Sequence, residues 1–224
     1  MSVRVGIVGY RMGNIGSLWN AFHALGVETI VAEQPEQLRA ATHLVLPGVG
    51  AFPTGMEHLN GLGFTPVLRE LVMEQRRPLL GICLGMQLLA SVGEEHRICA
   101  GLGFIPGRVV RLSVSALRVP HIGWNDTIVA RDNPVLGPAG AVGCFYYVHS
   151  FHLVPEDPAD TILTCCYGEP FVAGVMRGHI VGVQFHPEKS HAGGLALLRR
   201  FLEVGRAEAT VDPVPLSAKR ADCS

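Results

Sequence analysis

Up to Ala90 the chain alternates between short continuous apolar runs and segments whose apolar residues recur every three or four positions. Val3 to Val8 is a β-rich run, closed by the turn Gly9-Tyr10-Arg11-Met12-Gly13-Asn14. Ile15, Leu18, Trp19, Phe22 and Leu25 then fall at helical spacing before Gly26, and Trp19 and Phe22 are expected in the core. Val27–Val31 reads as a second strand, Pro35–Ala40 as a short helix and His43–Leu46 as a third strand running into Pro47-Gly48-Val49-Gly50. Thr65-Pro66 has the form of a helix start, Thr as N-cap and Pro at the first position, with Val67, Leu68, Leu71 and Val72 on the inner face. After Pro78 an apolar run reads as a buried strand, and Leu84 to Ala90 are good helix formers. Strands and helices alternating in this order predict an α/β fold, a mostly parallel central sheet flanked by helices.

Beyond this point the pattern changes. Phe104–Leu112, Ile122–Val129, Gly143–Val148, Thr161–Tyr167, Phe171–Met176 and His179–Phe185 are all strand-like, and Arg177-Gly178 suits a tight hairpin between the last two. These segments should add antiparallel strands and make the sheet mixed. Leu195, Leu198, Phe201 and Leu202 define a final amphipathic helix. Residues 1–205 therefore read as one domain, and the polar, proline-punctuated stretch 206–224 as a frayed tail.

Composition narrows the function classes. With 224 residues, 48% hydrophobic and 17% charged, the chain is core-rich and suits one globular α/β domain. A formal net charge of −1 without any Lys/Arg block argues against nucleic acid or a membrane surface as partner. The first apolar run is too short for a signal peptide and none reaches transmembrane length, so a cytoplasmic protein is expected. The six cysteines show no C-x-x-C and no Cys/His cluster at zinc spacing, so no metal site is expected and all six read as reduced thiols.

The chemistry concentrates in three stretches. Gly81-Ile82-Cys83-Leu84-Gly85 joins a strand to a helix, and a nucleophile on such a crowded turn needs small flanking residues. The turn would lift the sulfur out of the sheet and set it at a helix N-terminus, which favours a thiolate. A cysteine in an apolar run also packs as a small hydrophobe, and this pentapeptide alone leaves both roles open. Pro47-Gly48-Val49-Gly50 stands at the C-terminal end of a strand, where α/β sheets bind ligands, and matches neither a dinucleotide fingerprint nor a P-loop. In Gln184-Phe185-His186-Pro187-Glu188-Lys189, residues two apart on an extended segment face the same way, so Glu188 could orient His186 for proton transfer with a thiol.

Together these three motifs resemble the class I (triad) glutamine amidotransferases. Met12-Gly13-Asn14, Pro120-His121-Ile122-Gly123-Trp124-Asn125 and Tyr146-Tyr147-Val148-His149-Ser150 are similar to segments of the HisH glutaminase subunits of imidazole glycerol phosphate synthase, and the matching motifs span residues 12 to 190. The resemblance implies a flavodoxin-like amidotransferase fold and cysteine-thioester hydrolysis of glutamine, without a cofactor. It makes Cys83 the nucleophile, His186 the proton shuttle and Glu188 its orienter, with backbone N–H groups at Leu84 and Val49 as oxyanion hole. Gly50, Gln87 and Glu95, with backbone at His149, Ser150 and Phe151, would hold glutamine, and Glu95 would meet its ammonium. A HisF-like (β/α)₈ cyclase would complete a heterodimer through Asn14, Trp124, Tyr146 and Lys189, and would use the ammonia to convert PRFAR to imidazole glycerol phosphate and AICAR in histidine biosynthesis. The isolated chain would be a poor glutaminase until the Gly48-Val49 peptide reorients. Gly9-Tyr10-Arg11 departs from the usual Asp-Tyr-Gly of the family and adds a charge at an expected interface loop. It keeps open a HisH-like glutaminase serving a sugar-modifying amidotransferase; a catalytically dead regulatory subunit is a further alternative, against which the intact triad speaks.

Overall fold

In the computed structural model, which describes residues 2–114 and 117–205, the early apolar runs form parallel strands β1 (Arg4–Val8), β2 (Glu28–Ala32), β3 (His43–Leu46) and β4 (Leu79–Ile82). Helices α1 (Ile15–Ala24), α2 (Phe52–Gly61), α3 (Phe64–Arg69) and α4 (Leu84–Leu88) accompany them. Two short strands follow, β5 (Val92–Gly93) and β6 (Cys99–Ala100). Then come β7 (Gly107–Arg111), β8 (His121–Val129), β9 (Val142–His149), β10 (Phe151–Pro155), β11 (Thr161–Tyr167), β12 (Glu169–Arg177), β13 (Ile180–Val183) and the helix α5 (His191–Phe201).

The main sheet has nine strands in the order β2-β1-β3-β4-β13-β12-β11-β8-β9. It is mixed: pairing is parallel from β2 to β13 and antiparallel from β13 to β9. Consecutive residues of the inner strands enter opposite cores. Leu44, Leu46, Leu79 and Ile180 pack with Met56, Leu59, Leu68 and Leu88 on one face. Val45, Leu80, Ile82, Val181 and Val183 pack with Leu18, Phe22, Leu197, Leu198 and Phe201 on the other. Burial on both faces is why these strands read as continuous apolar runs.

The structure corrects several expectations. α2 was not foreseen; its Gly55 and Gly61 and its Pro53 blur the helical signal. α3 starts one residue before Thr65, behind Gly63 in the left-handed region at φ 77°. Thr65 is inside the first turn, and its hydroxyl donates to Asn60 Oδ1 at 2.6 Å instead of capping. β7 does not extend the main sheet but joins a second, four-stranded sheet in the order β10-β7-β5-β6. Cys83, Cys99, Cys144 and Cys165 are free thiols, whereas Cys166 is disulfide-bonded, so the expectation of six reduced cysteines fails there. The expected tail, 206–224, lies outside the described residues. Among those described, no helix is long and apolar enough to cross a membrane.

Candidate active site

β3, β4 and β13 are neighbours in the sheet, and each leads at its C-terminal end into one of the three sequence motifs. Cys83 stands between β4 and α4 at φ 54° and ψ −112°, a conformation that costs a non-glycine residue ~1–3 kcal/mol. Its N–H donates to Val183 O at 2.8 Å and its carbonyl accepts from Gln87 N at 3.2 Å, so strand and helix both pin the strained residue. The flanking glycines are dictated by contact. A Cβ on Gly85 would stand 1.8 Å from Leu46 O, and one on Gly81 would stand 2.7 Å from Gly85 O. Backbone packed on backbone is what lets the turn be this sharp.

His186 follows β13 and is buried, with its N–H on Tyr146 O at 2.9 Å. Its Nδ1 lies 2.9 Å from Glu188 Oε1, and its ring lines the same cavity as Cys83. The contact arises differently from the extended His-x-Glu geometry expected. β13 ends at Val183, and Pro187–Lys189 is a 3-10 turn that folds Glu188 back onto the ring. Ser190 holds this turn: its hydroxyl donates to His186 O at 2.6 Å and accepts from Tyr146 N at 3.1 Å. Burial alone would lower the pKa of His186, but hydrogen bonds and charge interactions with Cys83 and Glu188 outweigh it and raise it to about 10. The two partners thus favour the protonated form of the ring.

A cavity of about 270 Å³ opens over the sulfur. Val49, Gly50, Leu84, Gln87, Glu95, His149, Ser150 and Phe151 line it with Cys83, His186 and Lys189, so the residues expected around glutamine and its oxyanion are gathered there. Gln87 and Glu95 among them already have protein partners. Gln87 Nε2 donates to Phe151 O at 2.9 Å and to Gln184 Oε1 at 3.2 Å. Glu95 Oε2 accepts from Phe52 N at 2.7 Å, at the start of the unforeseen α2.

Sequence reasoning assigned no role to two residues of this site. Gln184, fully buried, donates from Nε2 to Cys83 Sγ at 3.7 Å. Its signal was a polar residue between Val183 and Phe185 in an apolar strand. Tyr10 donates its hydroxyl to Pro47 O at 2.7 Å and so ties down the first residue of the Pro47–Gly50 loop. Burial, and to a lesser extent Cys83, pushes the Tyr10 phenol up, which keeps it a donor. No local pattern marks Tyr10.

The glutamine amidotransferase class-I family profile matches residues 10–204. The chain belongs to the class-I glutamine amidotransferases. Among curated relatives, this amidotransferase is 40% identical over 200 residues to "Imidazole glycerol phosphate synthase subunit HisH 2" of Methanococcus maripaludis, covering 89% of this chain and 98% of that one. It is 44% identical over 201 residues to "Imidazole glycerol phosphate synthase hisHF, chloroplastic" of Arabidopsis thaliana, covering 88% of this chain and 34% of that longer one. A solved glutamine amidotransferase superposes with a TM-score of 0.71 at 22% identity, covering 89% of this chain and 97% of the other, a likeness of fold alone.

The amidotransferase brings three of its four expected interface residues together. Trp124 meets Tyr146 edge-on at 5.9 Å between ring centroids, and Lys189 Nζ lies 5.8 Å from the Tyr146 ring. His191, which sequence reasoning did not single out, stacks on Trp124 at 5.0 Å. Asn14 serves as N-cap of α1, accepting from Ser17 N at 3.4 Å.

Proposed function

We propose that this chain is the glutaminase subunit of an imidazole glycerol phosphate synthase. The observation that carries the reading is Cys83 on its strained turn and the hydrogen-bonded pair His186 and Glu188, with Cys83 and His186 lining one cavity, in a chain alike to HisH subunits over nearly its whole length. Glutamine places its carboxamide over Cys83. The sulfur attacks the carbonyl carbon, and the oxyanion is met by the N–H groups of Leu84 and Val49, donors of a kind commonly worth ~3–4 kcal/mol each. His186 gives its proton to the departing nitrogen, which leaves as ammonia behind a glutamyl thioester. Water then attacks the thioester with His186 as base, and glutamate is released. Glu188 holds the ring through both steps. Gly50, Gln87, Glu95 and the His149–Phe151 backbone bind the amino acid.

The ammonia passes to a HisF-like (β/α)₈ cyclase subunit, where PRFAR becomes imidazole glycerol phosphate and AICAR. The fused hisHF name of the Arabidopsis relative supports such a pairing. So does the outer face of β8, where Ile122, Trp124 and Ile128 are 60%, 47% and 37% exposed. An apolar stripe of this kind on a sheet suits a protein partner. Glutamate release should be measured with the cyclase subunit present. Wild type should turn over and Cys83→Ala should fall to background; activity surviving in the variant overturns the assignment of the nucleophile. A second reading rests on Arg11, exposed and at φ 68°, where the family usually has glycine. A charge on that loop suits a different ammonia acceptor, such as a sugar-modifying amidotransferase, and pairwise co-purification with each candidate distinguishes them.

A further inference from the structure

A line of hydrogen-bonded side chains runs from β8 to the wall of the cavity, and each of its bonds can point only one way. Asn125 is fixed by its amide: Oδ1 accepts from Asp126 N at 2.8 Å, and Nδ2 donates to Cys166 O at 2.8 Å. Nδ2 also lies 3.3 Å from His121 Nε2. His121 Nδ1 is 3.0 Å from His149 Nε2, and His149 Nδ1 is 3.0 Å from Phe151 O. A carbonyl only accepts, so His149 bears its proton on Nδ1 and offers Nε2 as acceptor. His121 must then donate from Nδ1, and its Nε2 accepts from Asn125. Burial lowers the pKa of His121 to about 4 and of His149 to about 3, so both rings are neutral at pH 7. Stacking of His121 on Tyr147 at 4.9 Å and on Tyr167 at 4.1 Å holds the ring in place.

The line ends where the two sheets meet. β9 belongs to the nine-stranded sheet and β10 to the four-stranded one, with Ser150 alone between them. The bond from the His149 ring to Phe151 O spans this bend, whose residues line the cavity. Phe151 O also takes a bond from Gln87, which continues through Gln184 to Cys83. We propose that Asn125 and His121 are positioning residues for glutamine binding: they deliver the donor that His149 Nε2 accepts and so hold the ring that braces the bend against which glutamine lies. The proposal rests on the reading of this cavity as a glutamine site.

A long-range ¹⁵N–¹H correlation spectrum of the full chain at pH 7 should show His121 and His149 as neutral Nδ1–H tautomers. Finding His121 as Nε2–H or as imidazolium overturns the proposal, independently of glutamine. Asn125→Asp replaces the terminal donor by an acceptor of the same shape. With the cyclase subunit present, the KM for glutamine should rise about tenfold while kcat stays within about threefold, and His121 should change tautomer or protonate. An unchanged KM, or a fall in kcat with KM intact, overturns it. Should that variant fail to fold, the wild-type tautomers decide alone. A wild type that releases no glutamate sinks the glutamine reading and this role with it; an active wild type beside an indifferent Asn125→Asp sinks only the positioning.

Discussion

His186 shows how a single residue's neighbours set its chemistry. Its burial and its two partners oppose one another, and the partners win, holding its pKa at about 10 against an ordinary 6.5. Because the folded value is raised, the protonated ring stabilises the fold in full below about pH 6.5, and that stabilisation is lost as pH rises through about 10. An NMR titration should find His186 still protonated at pH 8. Cys83→Ala removes one of the two partners, so its His186 should titrate at lower pH; an unchanged midpoint would show that the sulfur does not act on the ring. The pairing of His186 with Glu188 was legible from their separation of two residues, but for the wrong reason. A 3-10 turn behind Pro187, not an extended strand, brings them together.

At the scale of the element, the elbow between β4 and α4 is the part most fully written into local sequence. The 1.8 Å approach of a Gly85 Cβ to Leu46 O leaves no room for a side chain. Gly85→Ala should therefore destabilise by ~3 kcal/mol or more, the upper end for overpacking, as measured by urea unfolding. Gly16 in α1 provides the contrast, since a Cβ there meets nothing within 4 Å and the position is exposed. Gly16→Ala should stabilise by ~0.5–1 kcal/mol, the ordinary gain of alanine over glycine in a helix. If the two variants unfold alike, close backbone packing is not what the elbow glycines provide. The second sheet was illegible for a comparable local reason. β5 and β6 have two residues each, too few to display a period, and β7 reads like any half-buried strand.

For the molecule as a whole, Trp124, stacked on His191 beside Tyr146, is the largest apolar side chain left exposed on β8. Buried aromatic anchors at interfaces typically lose ~2 kcal/mol or more on truncation. Trp124→Ala should weaken association with the cyclase subunit at least about tenfold, while shifting the melting temperature of the isolated chain little. Titration calorimetry and thermal unfolding on the same samples check both halves. Tight binding by the variant would move the interface elsewhere on the surface.

What the sequence by itself determined is whatever depends on neighbours along the chain. The apolar runs named the inner strands, and Gly81-x-Cys83-x-Gly85 named the elbow, because a crowded turn restricts its own residues. Tertiary structure alone decided the rest. Tyr10 on Pro47, Gln184 on Cys83, Glu95 on the start of α2 and the line from Asn125 to Phe151 each join segments far apart in sequence. Buried polar groups must find partners wherever packing delivers them, and one-dimensional spacing holds no record of which partner that will be.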